Sequence, residues 1–493
     1  QVRFTLNKEE KKLVFQGNNI SYKNRDFSMK SFKIDIVQNF ETQIISKELT
    51  IKGMDADSIN NGYHIAVKSL VLLEPKINLV LQNVTHTNDS DASILSLFSI
   101  KKVNSLTLKK GTIKVSHKEK KYLMASAKNI ELTAKNVLPG HGSLYFENSS
   151  FKANDMFFNM ANNLYNFKAA YFNYLQKTGY ASLSNFKLTP NYSKADFGKK
   201  VAKQVARVTL NVKSVAFQNF TILDIINHQT FTCGKISIEN LAAEFYKNKN
   251  IPLLATDIKK FPQEIIREFG FGLKINTLEI KNSILKGEVL SPNADNTGNI
   301  EVDQVNMIFK GVDNTITAGN LDLTFSGRLA KTGLINASVR MPINDLQCNH
   351  TAHIEIGKMP FRYLNTFIND VVHVSITKGQ LDRAVIDIKG NKKEINFKLA
   401  LKYHDLEMKI LADESTSRNS NKLNLATKLA NAVIINSNPQ PGKSLRISDT
   451  KTSIEKNKFI LNNWIVASLN SMLITTAPGI VNFVKKNKNA KSN

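Results

Sequence analysis

The chain opens on short runs in which apolar and polar residues alternate: "RFTLN", "KLVFQG", "NISYKN" and "SFKIDIVQNF". A period of two is the mark of a strand with one buried face. The Gly, Asn and polar pairs between the runs supply turns. "KELTIKGMDA" continues the pattern, and "YHIAVKSLVLLEPKINLVLQNV" reads as two strands turning near Glu74 and Pro75. "KVNSLTLKKGTIKVSHK", residues 102–118, reads as a hairpin folded about Gly111. Leu106, Leu108, Ile113 and Val115 then share an apolar side, Lys109 and Lys114 point away, and Gly111 takes a positive φ in the turn. A similar phrase returns at "LKINTLEIKNSILKGEV" and at "VVHVSITKGQLDRAVIDIKG".

The alternation persists through the middle and returns from 271 to 411, in strands of roughly ten residues with tight connections. Three stretches interrupt it with helical character: 193–206, 253–270 (Pro262 near its start, Gly270 near its end) and 360–370. "DASILSLFSIKKV" fits either a short helix or a buried strand. "ADESTSRNSNK", 412–422, has the polar composition of a flexible loop. "LNLATKLANAVIINSN" and 459–486 after it are helical by length and spacing, the latter broken near Pro478-Gly479. The predicted architecture is mainly β: a long antiparallel meander over 1–411, and a flexible loop with a helical tail over 412–493. Strands about 4.8 Å apart build a long sheet, and one apolar face of it must be covered or curl into a gutter. The expected form is therefore a curved, taco-like β-groove with a few short helices.

Composition narrows the partners. The 493 residues carry a formal net charge of +26, which favours an anionic partner such as nucleic acid or acidic lipid. Lysine predominates over the arginine that forked recognition of bases or phosphates prefers. The 28 Phe follow strand alternation and do not cluster in a basic groove, so no nucleic-acid partner is expected. Two cysteines make neither a disulfide scaffold nor a four-ligand zinc site. No run of about 18 uninterrupted apolar residues occurs. The start at Gln1 is read as a processed end, from which a signal peptide or membrane helix has been removed.

No phosphate loop, dinucleotide fingerprint, nucleophile elbow or H-E-x-x-H is present. Cys348, His350 and His353 in "CNHTAH" are the best metal candidates, yet on a strand 353 points away from the other two. Asp382 and Asp387 fall on opposite faces. We therefore expect no enzyme, no catalytic residue, no metal and no cofactor.

"KSLVLLEPKINLVLQN" and "VNSLTLKKGTIKVSHKEKKYLMASAKNIEL" together resemble the repeated phrase of the AsmA-like group of the Gram-negative envelope, which includes TamB and its relatives. Leu72, Leu73, Pro75 and Ile77 carry the first half of the likeness; Leu106, Leu108, Gly111 and Ile113 carry the second. "FRYLNTFINDVVHVSITKGQLDRAVIDIKG" is similar to a later segment of the group through Gly379, Leu381 and Asp382. The resemblance implies a periplasmic β-groove anchored in the inner membrane by a helix absent from this sequence. It implies a carrier or bridge for phospholipid, or another acyl-chain lipid, between inner and outer membranes, with envelope proteins as partners at the groove ends. Leu72, Ile77, Leu106, Leu108, Ile113, Val115 and Leu381 are the expected groove floor. The competing expectation is a non-enzymatic scaffold or assembly factor of an envelope complex.

Overall fold

The structure, a computed structural model, describes residues 2–8, 11–37, 40–59, 62–81, 100–118, 123–140, 143–160, 163–292, 296–372, 374–411 and 434–478. The chain divides into two units, Gln1–Asn191 with Asn211–Ile236, and Tyr192–Leu210 with Ser237–Asn493. Strand dominates both, and helices are few and short.

The first unit holds β1 (Val2–Lys8), β2 (Lys11–Lys23), β3 (Asp26–Val37), β4 (Phe40–Ile59), β5 (Gly62–Leu73), β6 (Lys76–Leu81) and β7 (Ile100–His117). It continues with β8 (Leu123–Gly140), β9 (Ser143–Met160), β10 (Tyr165–Leu175) and β11 (Tyr180–Pro190). Successive strands pair antiparallel from β1 to β5 and from β7 to β11. β12 (Arg207–Thr221) and β13 (Thr230–Asn248) contribute residues to both units.

The second unit contains β14 (Gly272–Leu290), β15 (Thr297–Asp313), β16 (Asn320–Leu329), β17 (Gly333–Pro342), β18 (His350–Ile356), the two-residue β19 (Met359–Pro360), β20 (Val374–Gly390), β21 (Glu394–Ile410) and β22 (Ile447–Ser453). β14 to β18 pair antiparallel in sequence order, and β18, β20, β21 and β22 continue the ladder.

Three expectations about local structure are corrected. First, "KVNSLTLKKGTIKVSHK" is no hairpin but part of one 18-residue strand, β7. "LKINTLEIKNSILKGEV" likewise lies within the single strand β14, and "VSITKGQLDRAVIDIKG" is β20. Second, the chain does not turn back at Glu74-Pro75. β5 and β6 both run antiparallel to β4 and both parallel to β7, so they are one strand interrupted at Pro75. The sheet is therefore mixed rather than wholly antiparallel. Third, many strands are 17 to 20 residues long, about twice the expected length.

Bulges account for these errors. Leu108 and Gly111 on β7 face Leu132 and Ile130 on β8, so three steps on one strand answer two on the other. One pair later, Gly111 and Ile113 face Ile130 and Ala127, and the extra residue now sits on β8. The inserted residues, Lys110 and Asn129, have left-handed φ values of 53° and 47°. An extra residue flips the pleat once and looks like a turn to any reading based on a period of two.

Two of the predicted helical interruptions shrink, to Lys194–Val201 and Pro262–Arg267, and the third stands as a 3-10 turn Phe361–Leu364 running into the helix Asn365–Val372; one more short helix, Ile222–His228, follows β12. The tail helix spans Ile460–Thr476 and ends two residues before Pro478. Residues 412–433 and those from Gly479 onward, with most of "DASILSLFSIKKV", lie outside the described residues. Ile434–Asn438, expected to be helical, is irregular, and Asn438 bridges to Tyr403 of β21.

Candidate functional site

The site is a face of the first unit's sheet. Leu70, Leu72, Ile77 and Leu79 oppose Leu106, Leu108, Ile113 and Val115 residue for residue. Across β7, Leu106, Leu108, Gly111, Ile113 and Val115 oppose Ala134, Leu132, Ile130, Ala127 and Ala125 of β8. Leu132 in turn opposes Phe151 of β9. Partners in a ladder point to the same side, so these residues form one continuous apolar floor. Val67, Val103, Ala134 and Val137 close one end of it as a tight cluster, with Leu70 and Leu106 packed against them.

The bulges keep this floor apolar. In "L-x-L-x-x-G-x-I-x-V", Leu108 and Gly111 are three residues apart. On a regular strand Ile113 and Val115 would turn to the other side. The extra residue at Lys110 returns them to the Leu108 side. The same device recurs nearby, with positive φ at Ser31, Glu74, Asn129, Asp155 and Asn185. Asparagine and aspartate tolerate this conformation better than other side chains that carry a Cβ.

The opposite face is polar. Thr107, Lys109, Lys114 and Ser116 alternate with the floor residues on β7. Thr133 and Ser150 hydroxyls meet at 2.7 Å, Asn136 Nδ2 donates to Glu147 at 2.9 Å, and the Lys128 ammonium pairs with Asp155 at 3.2 Å.

Of the seven expected floor residues, Leu72, Ile77, Leu106, Leu108, Ile113 and Val115 come together here and are all half-buried. Among the described residues of the first unit, no helix and no second sheet packs over β4 to β8. Leu381 stands apart, as a correction. It lies in the second unit, 4% exposed, in a core shared by Leu321, Ile386, Phe397, Leu399 and Tyr403. The helix Ile460–Thr476 closes that core with Trp464 and Ala467. A side chain sealed in this way belongs to packing, not to an open floor. Burial also pushes the Tyr403 phenol up to about 12, while its hydroxyl donates to the Ile435 carbonyl at 2.7 Å.

The "CNHTAH" residues do not converge. Cys348 and His350 are buried; His353 is on the outside, 2.7 Å from Asp387 and 3.2 Å from Glu355. Those carboxylates raise the His353 pKa, Asp387 most. The sequence reading missed the neighbouring floor contributed by Val67, Val103, Ile130, Leu132 and Phe151. The available signal was the three-residue spacing before each mid-strand glycine, or an asparagine at a strand centre.

No protein-family model matches the chain, and no curated protein matches it.

Proposed function

We propose that the protein binds the acyl chains of lipids on the open apolar face of its first unit and passes them along it without a covalent step. One observation carries this reading: an apolar floor running through β4 to β8 with no described layer over it; the short helix Ile222–His228 meets only β9, where Asn227 bonds the Leu144 backbone. An uncovered apolar surface of this kind marks a site for a ligand or partner. The floor residues are aliphatic and nearly equivalent from strand to strand. Each buried methylene contributes about 0.8 kcal/mol, so a chain is held firmly while neighbouring positions remain close in energy. Selectivity then resides in the width of the face and in rim charges, and the +26 net charge suits anionic head groups. The likeness of motif adds a setting, a periplasmic carrier or bridge of phospholipid between two membranes.

The second unit supports another role for itself. Its apolar core is closed by the C-terminal helix, as in a scaffold that holds partners rather than lipid.

The test is native mass spectrometry of gently purified protein, followed by lipid extraction. Wild type should retain phospholipid. Leu108→Asp with Val115→Lys should fold, by circular dichroism, and lose it. If the folded double variant keeps its lipid, or wild type carries none, the acyl-binding reading fails and scaffolding takes its place.

A further inference from the structure

The C-terminal helix Ile460–Thr476 is built inside out. Its buried side is Asn463, Trp464, Ala467, Ser471 and Thr475, small or polar apart from the tryptophan. Its outer side is Leu461, Ile465, Leu469 and Leu473, spaced by four and 60%, 49%, 52% and 50% exposed. A helix that only capped a core would turn these two faces the other way. The inner face is held by specific bonds: the Ser471 and Thr450 hydroxyls meet at 3.0 Å, and Asn463 Oδ1 accepts the Glu455 N–H at 2.9 Å. The leucine side is therefore the one that faces away from the sheet.

The patch continues beyond the helix. Phe459 before its first turn is 49% exposed, and Leu254 and Ile258 of an adjoining loop are 43% and 67% exposed. The Lys259 N–H donates to the Lys456 carbonyl at 2.8 Å, and the Lys259 ammonium lies 5.4 Å from the centre of the Phe459 ring. Lysines gather here. Burial and then the charges of Lys249, Lys458 and Lys259 push the Lys247 pKa down. Lys259 and Lys458 have carboxylate partners in Asp257 and Glu455. Lys249 and Lys456 are exposed and carry no ion pair among the described residues.

We propose that this face docks on a bilayer surface carrying anionic head groups, the Leu/Ile stripe entering the interface and the lysines meeting the phosphates. Protein interfaces are depleted in lysine and enriched in aromatic residues at their core. The helix itself carries no charged residue, but an aliphatic stripe with lysines supplied by the loops beside it suits the boundary between acyl chains and anionic head groups. Seventeen residues span about 25 Å, and one side is bonded to the sheet, so the helix lies along the membrane plane. No helix among the described residues is long and apolar enough to cross a membrane. This inference stands apart from acyl binding on the first unit.

The test is flotation of the full chain with vesicles of phosphatidylcholine alone and of phosphatidylcholine with phosphatidylglycerol. The protein should float with the anionic vesicles and much less with neutral ones or at high salt. Ile465→Gln with Leu469→Gln, which keeps helix propensity and a long side chain over the half-buried surface, should weaken binding at least about tenfold without lowering the melting temperature. Lys249→Glu with Lys456→Glu should weaken it on anionic vesicles only. Leu108→Asp with Val115→Lys should float like wild type, which separates the helix from the floor. Equal flotation of wild type and the glutamine variant overturns the proposal, as does no flotation of wild type. A drop in melting temperature in the glutamine variant means that the chain itself covers the stripe. A dimer lost in that variant means that a second copy does. Either result also overturns the proposal.

Discussion

Leu72 lies directly opposite Leu108 in the parallel pair β5/β7, and Ile77 lies directly opposite Ile113 in β6/β7. Both strands take five steps between these points, through Glu74-Pro75 on one and Lys110-Gly111 on the other. Their interruptions sit side by side: the Glu74 N–H donates to the Lys109 carbonyl, and the Thr112 N–H to the Pro75 carbonyl, each at 2.8 Å. β5–β6 and β7 are thus two strands interrupted at the same level and laid against each other, and each adds a width of apolar floor.

Gly111 is required by crowding, not by backbone conformation. Its φ is not left-handed, whereas that of Lys110 beside it is 53°. A Cβ on Gly111 would meet Leu108 Cδ2 at 2.7 Å, Ile130 Cβ at 3.3 Å and Pro75 Cγ at 3.4 Å. Gly111→Ala should be mildly destabilising, because the Leu108 methyl can move. Gly111→Val should cost about 1–3 kcal/mol by overpacking. Urea denaturation of both variants checks this, and equal, negligible losses would refute the crowding.

The bulge residues make the opposite prediction. Asn129 is exposed and holds φ at 47°. Asn129→Gly should be neutral or slightly stabilising, since glycine adopts this conformation without a Cβ penalty. Asn129→Val should cost about 1–2 kcal/mol. The same urea experiment reads the difference, and a valine variant as stable as the glycine variant would mean that the bulge is not held there.

Two leucines that look alike in sequence should behave differently. Leu381 is 4% exposed in a closed core, and Leu108 is half-buried on the floor. Leu381→Ala should cost about 2–5 kcal/mol, the range for sealed sites that cannot collapse. Leu108→Ala should cost less than half as much, because solvent already reaches the site. Similar losses at both positions would show that the floor is covered.

Strand, the apolar side of each strand and the shared face of six floor residues were all legible, because period-two alternation directly encodes a half-buried strand. Register was not. Lys110 and Glu74 have no left-handed preference of their own, and only the pairing of neighbouring strands forces them into it. A spacing of three then reads equally well as a turn or as a bulge. Leu381 was misplaced for a related reason: the L-x-x-A-x-I pattern of β20 matches an open floor and a closed core alike. What separates them is the helix at Ile460–Thr476, more than seventy residues downstream, whose contacts no local pattern reports.

The most direct pH test concerns His350. Its ring is 2% exposed, lies 6.0 Å from the Phe261 ring and 5.6 Å from the Trp464 ring, and is backed by Gly390, where a Cβ would stand 2.6 Å from Nε2. Nδ1 is 2.9 Å from the Cys348 carbonyl, so it carries the proton, and Nε2 has no hydrogen-bond partner among the described residues. Burial holds the imidazole below its ordinary value of 6.5. The unfolded chain therefore takes up a proton near pH 6.5 that the folded chain refuses. Stability from this group is complete above that pH and declines as pH falls below it, with a slope of at most about 1.4 kcal/mol per pH unit for one proton. His353 has the opposite sign: its raised pKa gives stability that is complete below its unfolded value and lost as pH rises through the folded one. Comparing wild type with His350→Asn in the same buffers isolates the buried ring, because asparagine keeps a donor for the Cys348 carbonyl. Melting temperatures from pH 7.5 down to about 5 should fall more steeply for wild type than for the variant. Parallel curves would mean that His350 is protonated in the fold or reached by water, and that the joint between β18 and the C-terminal helix is open.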